Sequence, residues 1–155
     1  MRSNKNNYTF RELRTDKYSR LIYKINNASD VRKFSIKKKK FSFSSHSSWF
    51  KNVLKNKKEK IFLTVFNGKI VGIIREKVFK NKNYLSWVII KKFRRQNHGK
   101  KMLKKYIAQS KRNYYAKIHK SNISSIKMSK FAGFKKTRQD NKFITFKKNI
   151  NIKNL

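Results

Sequence analysis

Residues 60–90, KIFLTVFNGKIVGIIREKVFKNKNYLSWVII, restrict the fold of this chain more than any other stretch. Two runs rich in β-branched and aromatic residues flank Asn67-Gly68, the strongest short signal for a hairpin turn. A second polar turn, KNKN at 80–83, leads into YLSWVII at 84–90. Together they predict three antiparallel strands in series.

The flanking segments fill in the rest. YTFREL (8–13) alternates and reads as a first strand. Tyr18, Leu21, Ile22 and Ile25 fall at helical spacing between Lys17 and Ile25. Residues 41–55 offer serines as N-caps, then Trp49, Phe50, Val53 and Leu54 on one face. A helix over 99–110 turns Met102, Leu103, Tyr106 and Ile107 inward, and YYAKIHK (114–120) reads as a strand. A short helix begins near Asn122 and stops at Gly133, and residues 141–150 form a closing strand. The order β-α-α-β-β-β-α-β-α-β predicts one α+β, or mixed α/β, domain over residues 1–155. A 37% apolar content with 13 phenylalanines is enough for one core.

Composition removes several function classes. No apolar stretch approaches the roughly 18–20 residues a bilayer span needs. The opening MRSNKNNYTF has no apolar core of a signal peptide, so a cytoplasmic protein is expected. With no cysteine there is no thiol-ligated metal, and three scattered histidines do not suggest a metal site. Forty-four Lys/Arg against six Asp/Glu leave a net charge of +38. Two readings of that charge stay open. Lysines punctuate every segment, as compositional bias toward Lys, Asn, Ile and Phe would produce; the alternative is a polyanionic partner, bound without specificity.

KKFRRQNHGKK, residues 91–101, lies between the third strand of the series and the next helix. A helix N-terminus presents unpaired N–H groups and the positive end of the dipole, which suits phosphate. Gly99 allows close backbone approach, and Asn97 tolerates a left-handed conformation. Arg94, Arg95, Lys100 and Lys101 add charge. Taken alone, the segment also reads as a solvated basic turn.

Its surroundings favour the phosphate reading. Arg94-x-x-Asn97-x-Gly99, after a strand and before a helix, resembles the acetyl-CoA pyrophosphate signature Arg/Gln-x-x-Gly-x-Gly/Ala of the GNAT acetyltransferase superfamily. Asn97 stands in place of its first glycine. Further on, NISSIKMSKFAGF resembles the second signature, Asn-x-x-Ala-x-x-Leu-Tyr-x-x-x-Gly-Phe, with Asn122, Ser125, Met128, Gly133 and Phe134 in register. The resemblance implies a GNAT fold, a central and mostly antiparallel twisted sheet flanked by helices, and acetyl-CoA as cofactor. It also implies that the fourth strand splays from the fifth, with Val88, Ile89 and Ile90 pairing the pantetheine arm. The loop Arg94, Arg95, Gln96, Asn97, His98 and Gly99, with Lys100 and Lys101, would hold the pyrophosphate. Asn122 and Ser125 would face the pantetheine or phosphate.

The implied chemistry is direct attack of a neutral amine on the thioester, with a route for the amine proton and a donor near the leaving sulfur. Here the chain departs from the family. The tyrosine commonly supplying the donor falls at Ser129, and the strand position often carrying a glutamate base falls at Tyr84. Glu76 on the central hairpin is then the carboxylate expected near the cleft, and His46 the other proton carrier. A strand-end surface glutamate and a structural histidine are their respective alternatives. Catalysis by positioning alone is a third route.

The first third narrows the acceptor. Asn27, Val31, Arg32 and Ser35, followed by His46, Trp49 and Phe50, are similar to stretches of the GNAT subgroup that acetylates nucleotide-linked amino deoxysugars. Ile25 and Asn26 replace that subgroup's Trp-Arg. Trp49 would offer a platform to a ring, Arg32 would meet a diphosphate, and Tyr84 would border the acceptor. Two alternatives come with other classes: an acetyltransferase for a protein N-terminal or lysine amine, as on a ribosomal protein, and a non-catalytic, RNA-associated relative.

Overall fold

The computed structural model describes residues 7–150. Its seven strands are β1 (Tyr8–Glu12), β2 (Glu59–Phe66), β3 (Lys69–Phe79), β4 (Lys82–Ile89), β5 (Tyr114–His119), β6 (Lys135–Gln139) and β7 (Phe143–Lys148). They form one sheet in the order β1-β2-β3-β4-β5-β7-β6. Both expected hairpins are present. Asn67 (φ 48°) and Gly68 (φ 75°) make the first turn, and Lys80 (φ 47°) and Asn81 (φ 58°) the second. Two consecutive positive-φ residues give the turn twist that matches paired strands.

The helices are α1 (Ser19–Asn27), α2 (Ser29–Arg32), α3 (Phe43–Lys55), α4 (His98–Ala108) and α5 (Ile123–Phe131). On the front of the sheet, Ile22, Ile25, Phe50 and Val53 of α1 and α3 pack on Ile61, Leu63 and Ile73. On the back, Met102, Leu103 and Tyr106 of α4 cover Ile74, Leu85, Ile89 and Tyr114. Met102 and Leu103 are fully buried, and each contributes about 1.5–3 kcal/mol of apolar burial. Helix ends follow the local chemistry. The Ser42 hydroxyl accepts from the Ser45 N–H at 3.1 Å, and Asn122 Oδ1 accepts from the Ser125 N–H at 3.2 Å. Gly133 at φ 90° ends α5.

Two elements are additional to those expected. The single-turn α2 follows α1 after one extended residue, Ala28. Strand β6, KKTRQ, is exposed throughout. It has no apolar alternation to announce it and forms through backbone pairing with β7 at the sheet edge.

One pairing sets up everything that follows. All neighbouring strands are antiparallel except β4 and β5, which run parallel and pair only at Asn83↔Tyr114 and Tyr84↔Tyr115. Beyond that point the strands diverge.

Candidate active site

The divergence of β4 and β5 opens a cleft of about 1070 Å³ through the middle of the sheet. Its β4 wall is unpaired backbone. The Ile90 N–H is already donated to the Val71 carbonyl at 2.9 Å. In an antiparallel ladder, alternate residues point to opposite neighbours. Val88 and Ile90 therefore bond β3, while Trp87 and Ile89 turn their backbone groups into the gap. Of the three positions expected to pair the cofactor arm, only Ile89 has this orientation, and Arg94 Nε occupies its carbonyl at 2.9 Å. Trp87 takes the place of its neighbours. Its side chain also lines the cleft, with the indole Nε1 buried and without a partner among the described residues. An indole N–H only donates, so a ligand carbonyl would satisfy it. The period-two geometry of a strand over 84–90, which sets Trp87 with Leu85 and Ile89, was the signal that could have found it.

The loop at the mouth of the cleft has the geometry of an anion cradle. Arg95 and Asn97 both adopt φ 61°, and Asn97 directly precedes α4. Left-handed residues interleaved with ordinary ones aim successive N–H groups into one concavity, here continuous with the helix N-terminus. Gly99 has a second use beyond close approach. A Cβ there would come within 2.5 Å of the Met128 side chain, so its absence lets that side chain lie against α4.

Side chains of the loop are deployed differently from the expectation. The Arg94 guanidinium bonds the Asp30 carboxylate of α2, tying the loop to the front of the molecule. That guanidinium holds Asp30 below the usual carboxylate range. Gln96 Nε2 donates to the Lys92 carbonyl at 3.2 Å, outside the cleft. Lys101 is exposed off the cleft, whereas Arg95 and Lys100 line it. The His98 ring is buried, with Nδ1 2.6 Å from the Tyr8 hydroxyl, and burial lowers its pKa. Only the backbone of His98 is left to meet a phosphate. Asn122 and Ser125 line the cleft, with the Asn122 oxygen committed to capping α5.

The three expected proton carriers are not brought together. Glu76 lies on the back face, buried under α4, where Oε2 accepts from Tyr106 Oη and Oε1 from Arg112 Nη1, each at 2.7 Å. It is outside the cleft because alternation along β3 turns it with Ile74 toward α4. Burial, reinforced by Glu76, holds the Tyr106 hydroxyl far above its ordinary pKa. Ser129 is fully buried and donates to the Ile126 carbonyl at 2.8 Å, also away from the cleft. His46 does border the cleft, but its ring is stacked between Phe41, Phe43 and Phe50 with both nitrogens buried. Burial pushes its pKa down, with only the Ser19 backbone opposing the shift. That makes it a neutral packing group.

On the acceptor side, Trp49 and Arg32 line the cleft. Arg32 stacks over Phe41 and donates to the carbonyls of Lys37 and Lys39, which shapes the loop after α2. Tyr84 sits at the vertex, its ring 5.6 Å from Tyr115, and closes the cleft without lining it. The cleft can therefore hold an extended thioester cofactor in its gap and a second molecule on its front.

The sheet with this parting, the anion-binding turn and the two helices around it is the architecture of acyl-CoA-dependent transferases. Residues 21–134 match the model of the acetyltransferase (GNAT) family, and the chain belongs to that family. It is an acetyl-CoA-dependent N-acetyltransferase. No curated protein matches the chain. Among solved structures it is similar to spermidine N-acetyltransferase from Vibrio cholerae in complex with CoA and spermine: TM-score 0.79, 12% identity, covering 91% of this chain and 94% of that one. It is also similar to aminoglycoside acetyltransferase AAC(6')-Ib in complex with coenzyme A, with TM-score 0.77, 12% identity, and 92% and 95% coverage. A third is the Campylobacter jejuni N-acetyltransferase PseH with acetyl coenzyme A, with TM-score 0.70, 16% identity, and 92% and 99% coverage. Identities this low carry the fold and not the acceptor. Among the described residues no helix is long and apolar enough to cross a membrane.

Proposed function

We propose that this enzyme acetylates a primary amine carried by an anionic small molecule, with a nucleotide-linked amino sugar the best fit. The cleft's charge carries the reading. Nine Lys and Arg side chains line it; Arg94, Arg75 and Lys117 pair with Asp30, Glu59 and Asp140, and the other six have no carboxylate partner among the described residues. Spermidine and aminoglycosides, named for two of the similar structures, are polycations and would meet repulsion along this wall. An amine on a basic ribosomal protein would meet the same field. A nucleotide diphosphate reverses the sign of the interaction, with Arg32, Lys33 and Lys37 on one side of the front opening. Trp49 beside them offers a ring face to a sugar or base.

Acetyl-CoA would lie in the gap, its pyrophosphate on the N–H groups of residues 95–99 and its arm along Trp87 and Ile89; it supplies the thioester that the amine attacks. The chain's part is alignment, which removes much of the barrier once the amine faces the thioester. The test is thiol release from acetyl-CoA with a UDP-linked amino sugar, spermidine, an aminoglycoside and a lysine peptide in parallel. The sugar nucleotide should exceed spermidine in kcat/KM by about 100-fold, the size of a differential charge interaction of roughly 2.7 kcal/mol. Preference for spermidine would overturn the acceptor assignment.

A further inference from the structure

We propose that the open end of the sheet's front face binds single-stranded nucleic acid, with bases stacked on Tyr84 and Tyr115 and phosphates held by the lysines around them. None of these residues lines the cleft, so the inference stands apart from the choice of acceptor.

Residues directly opposite one another in a ladder share a face of the sheet. Lys77 pairs with Tyr84, Tyr84 with Tyr115, Tyr115 with Lys147 and Lys147 with Lys135. The strands β3, β4, β5, β7 and β6 therefore present Lys77, Tyr84, Tyr115, Lys147 and Lys135 in one row. At about 4.8 Å between neighbouring strands, the row is roughly 19 Å long. Period-two alternation along β3 sets Lys77 with Ile73, on the front. Helices α1 and α3 cover that face at Ile61, Leu63 and Ile73 and leave Lys77, Lys82 and Lys135 exposed.

The row offers ring faces and cations together. The Tyr84 and Tyr115 rings lie 5.6 Å apart, and both side chains are half-buried, fixed by the sheet yet accessible. Lys82 and Lys147 lie 5.0 and 5.6 Å from the centre of the Tyr115 ring. One row further out, Phe79 pairs with Lys82 and is 54% exposed, with Lys80 5.5 Å from its ring. Among the described residues, Lys77, Lys80, Lys82, Lys135 and Lys147 have no carboxylate partner. Glu59, opposite Lys77 on β2, is buried and bonds Arg75. Asp140, on the β6–β7 turn, is paired with Lys117 at 3.7 Å.

Phosphates alone would be met by lysines almost anywhere on this chain. Rings on adjacent strands favour unpaired bases, because every base has a π-face and an aromatic-bearing sheet stacks two or three of them in succession. A duplex hides those faces, and carboxylates and lipid headgroups have none. Binding of this kind tolerates any sequence and weakens with salt.

Fluorescence anisotropy with the full-length protein and a labelled oligouridylate of about 12 nucleotides, within the span of a single-strand site, makes the test. Charge alone would favour a duplex of equal length, whose phosphates are denser; wild type should instead prefer the single strand by about 10-fold or more. Tyr84→Ala with Tyr115→Ala should weaken binding at least about 10-fold without changing its salt dependence, and Tyr84→Phe with Tyr115→Phe should keep it. Lys77→Gln, Lys135→Gln and Lys147→Gln together should reduce the slope of log K against log salt by about 2, at about 0.7 per phosphate. The same charge removed at exposed positions on α3 and α4, by Lys51→Gln, Lys55→Gln and Lys104→Gln, should leave affinity within about 2-fold. Melting curves check folding, and the two lysine sets decide the matter should the alanine pair not fold. A duplex bound as tightly, alanine variants at wild-type affinity, or equal losses from the two lysine sets would each overturn the proposal in favour of unspecific charge. Saturating CoA should leave the affinity unchanged; displacement of the oligonucleotide by CoA would put it in the cleft and overturn the proposal as well.

Discussion

Glu76→Gln separates a structural carboxylate from a catalytic one. Glu76 is 6% exposed and accepts from Tyr106 and Arg112 at 2.7 Å, with Tyr114 Oη at 3.5 Å. The Arg112 side chain is 56% exposed, so after solvent screening its pair contributes about 0–1 kcal/mol. The Tyr106 bond to a charged acceptor is worth about 1.5–3 kcal/mol, against about 0.5–1.5 for the neutral bond that glutamine retains. The glutamine NH₂ must also face either a guanidinium or a phenol. The sum is a loss of about 2 kcal/mol, or a Tm lower by about 4–8 °C for a chain of this size. Because Glu76 lies across the sheet from the cleft's front, kcat/KM per folded molecule and its pH profile should be unchanged. Tyr106→Phe should cost a similar amount, and the double variant less than the sum of the two, because both act on one buried bond. Thermal melts and steady-state kinetics over pH 5–9 make the measurement. A loss of about 100-fold in kcat/KM at unchanged Tm, with the acidic limb removed, is what a general base would give, and it would refute the placement.

Stability should rise with pH up to about 6.5 and level off above it. Burial depresses the pKa of His46 and His98, so below about 6.5 the unfolded chain binds the extra protons first. His46→Phe should flatten part of that slope, and a pH-independent wild-type Tm between pH 5 and 7 would contradict it. Trp87→Phe removes an indole N–H that has no partner among the described residues, so CoA affinity should fall about 2- to 10-fold with little change in Tm of the free enzyme; unaltered CoA affinity would place the arm elsewhere. Asn97→Val forces a β-branched residue to φ 61° at about 1–3 kcal/mol, and should abolish tight CoA binding while Asn97→Gly keeps it. Equal behaviour of the two would mean the left-handed turn is not the phosphate cradle.

What could be read from the residues alone was whatever the chain decides locally. Asn67-Gly68 dictates its turn whatever packs on it, and Asn97 and Asn122 sit beside the helices whose ends they shape. The parting of β4 and β5 was reached only through resemblance, since pairing at two positions and no further is a relation between distant segments. The proton carriers failed for the same reason. Period-two alternation places Glu76 with Ile74 and opposite Arg75, and this is visible in VGIIREKVF. Which of those two faces carries the acceptor is decided by α4 covering the back with Met102, Leu103 and Tyr106. Ser129 was matched to a tyrosine's position, but a short side chain there bonds its own helix at Ile126 instead of projecting into the cleft. The charge followed a similar course. As a total of +38 it was compatible with biased composition and with a polyanionic partner. Once folded, nine cations line the same cleft, and six of them have no carboxylate partner among the described residues. A site built this way offers a polycation few partners and an anionic molecule several, a distinction that the total charge alone does not make.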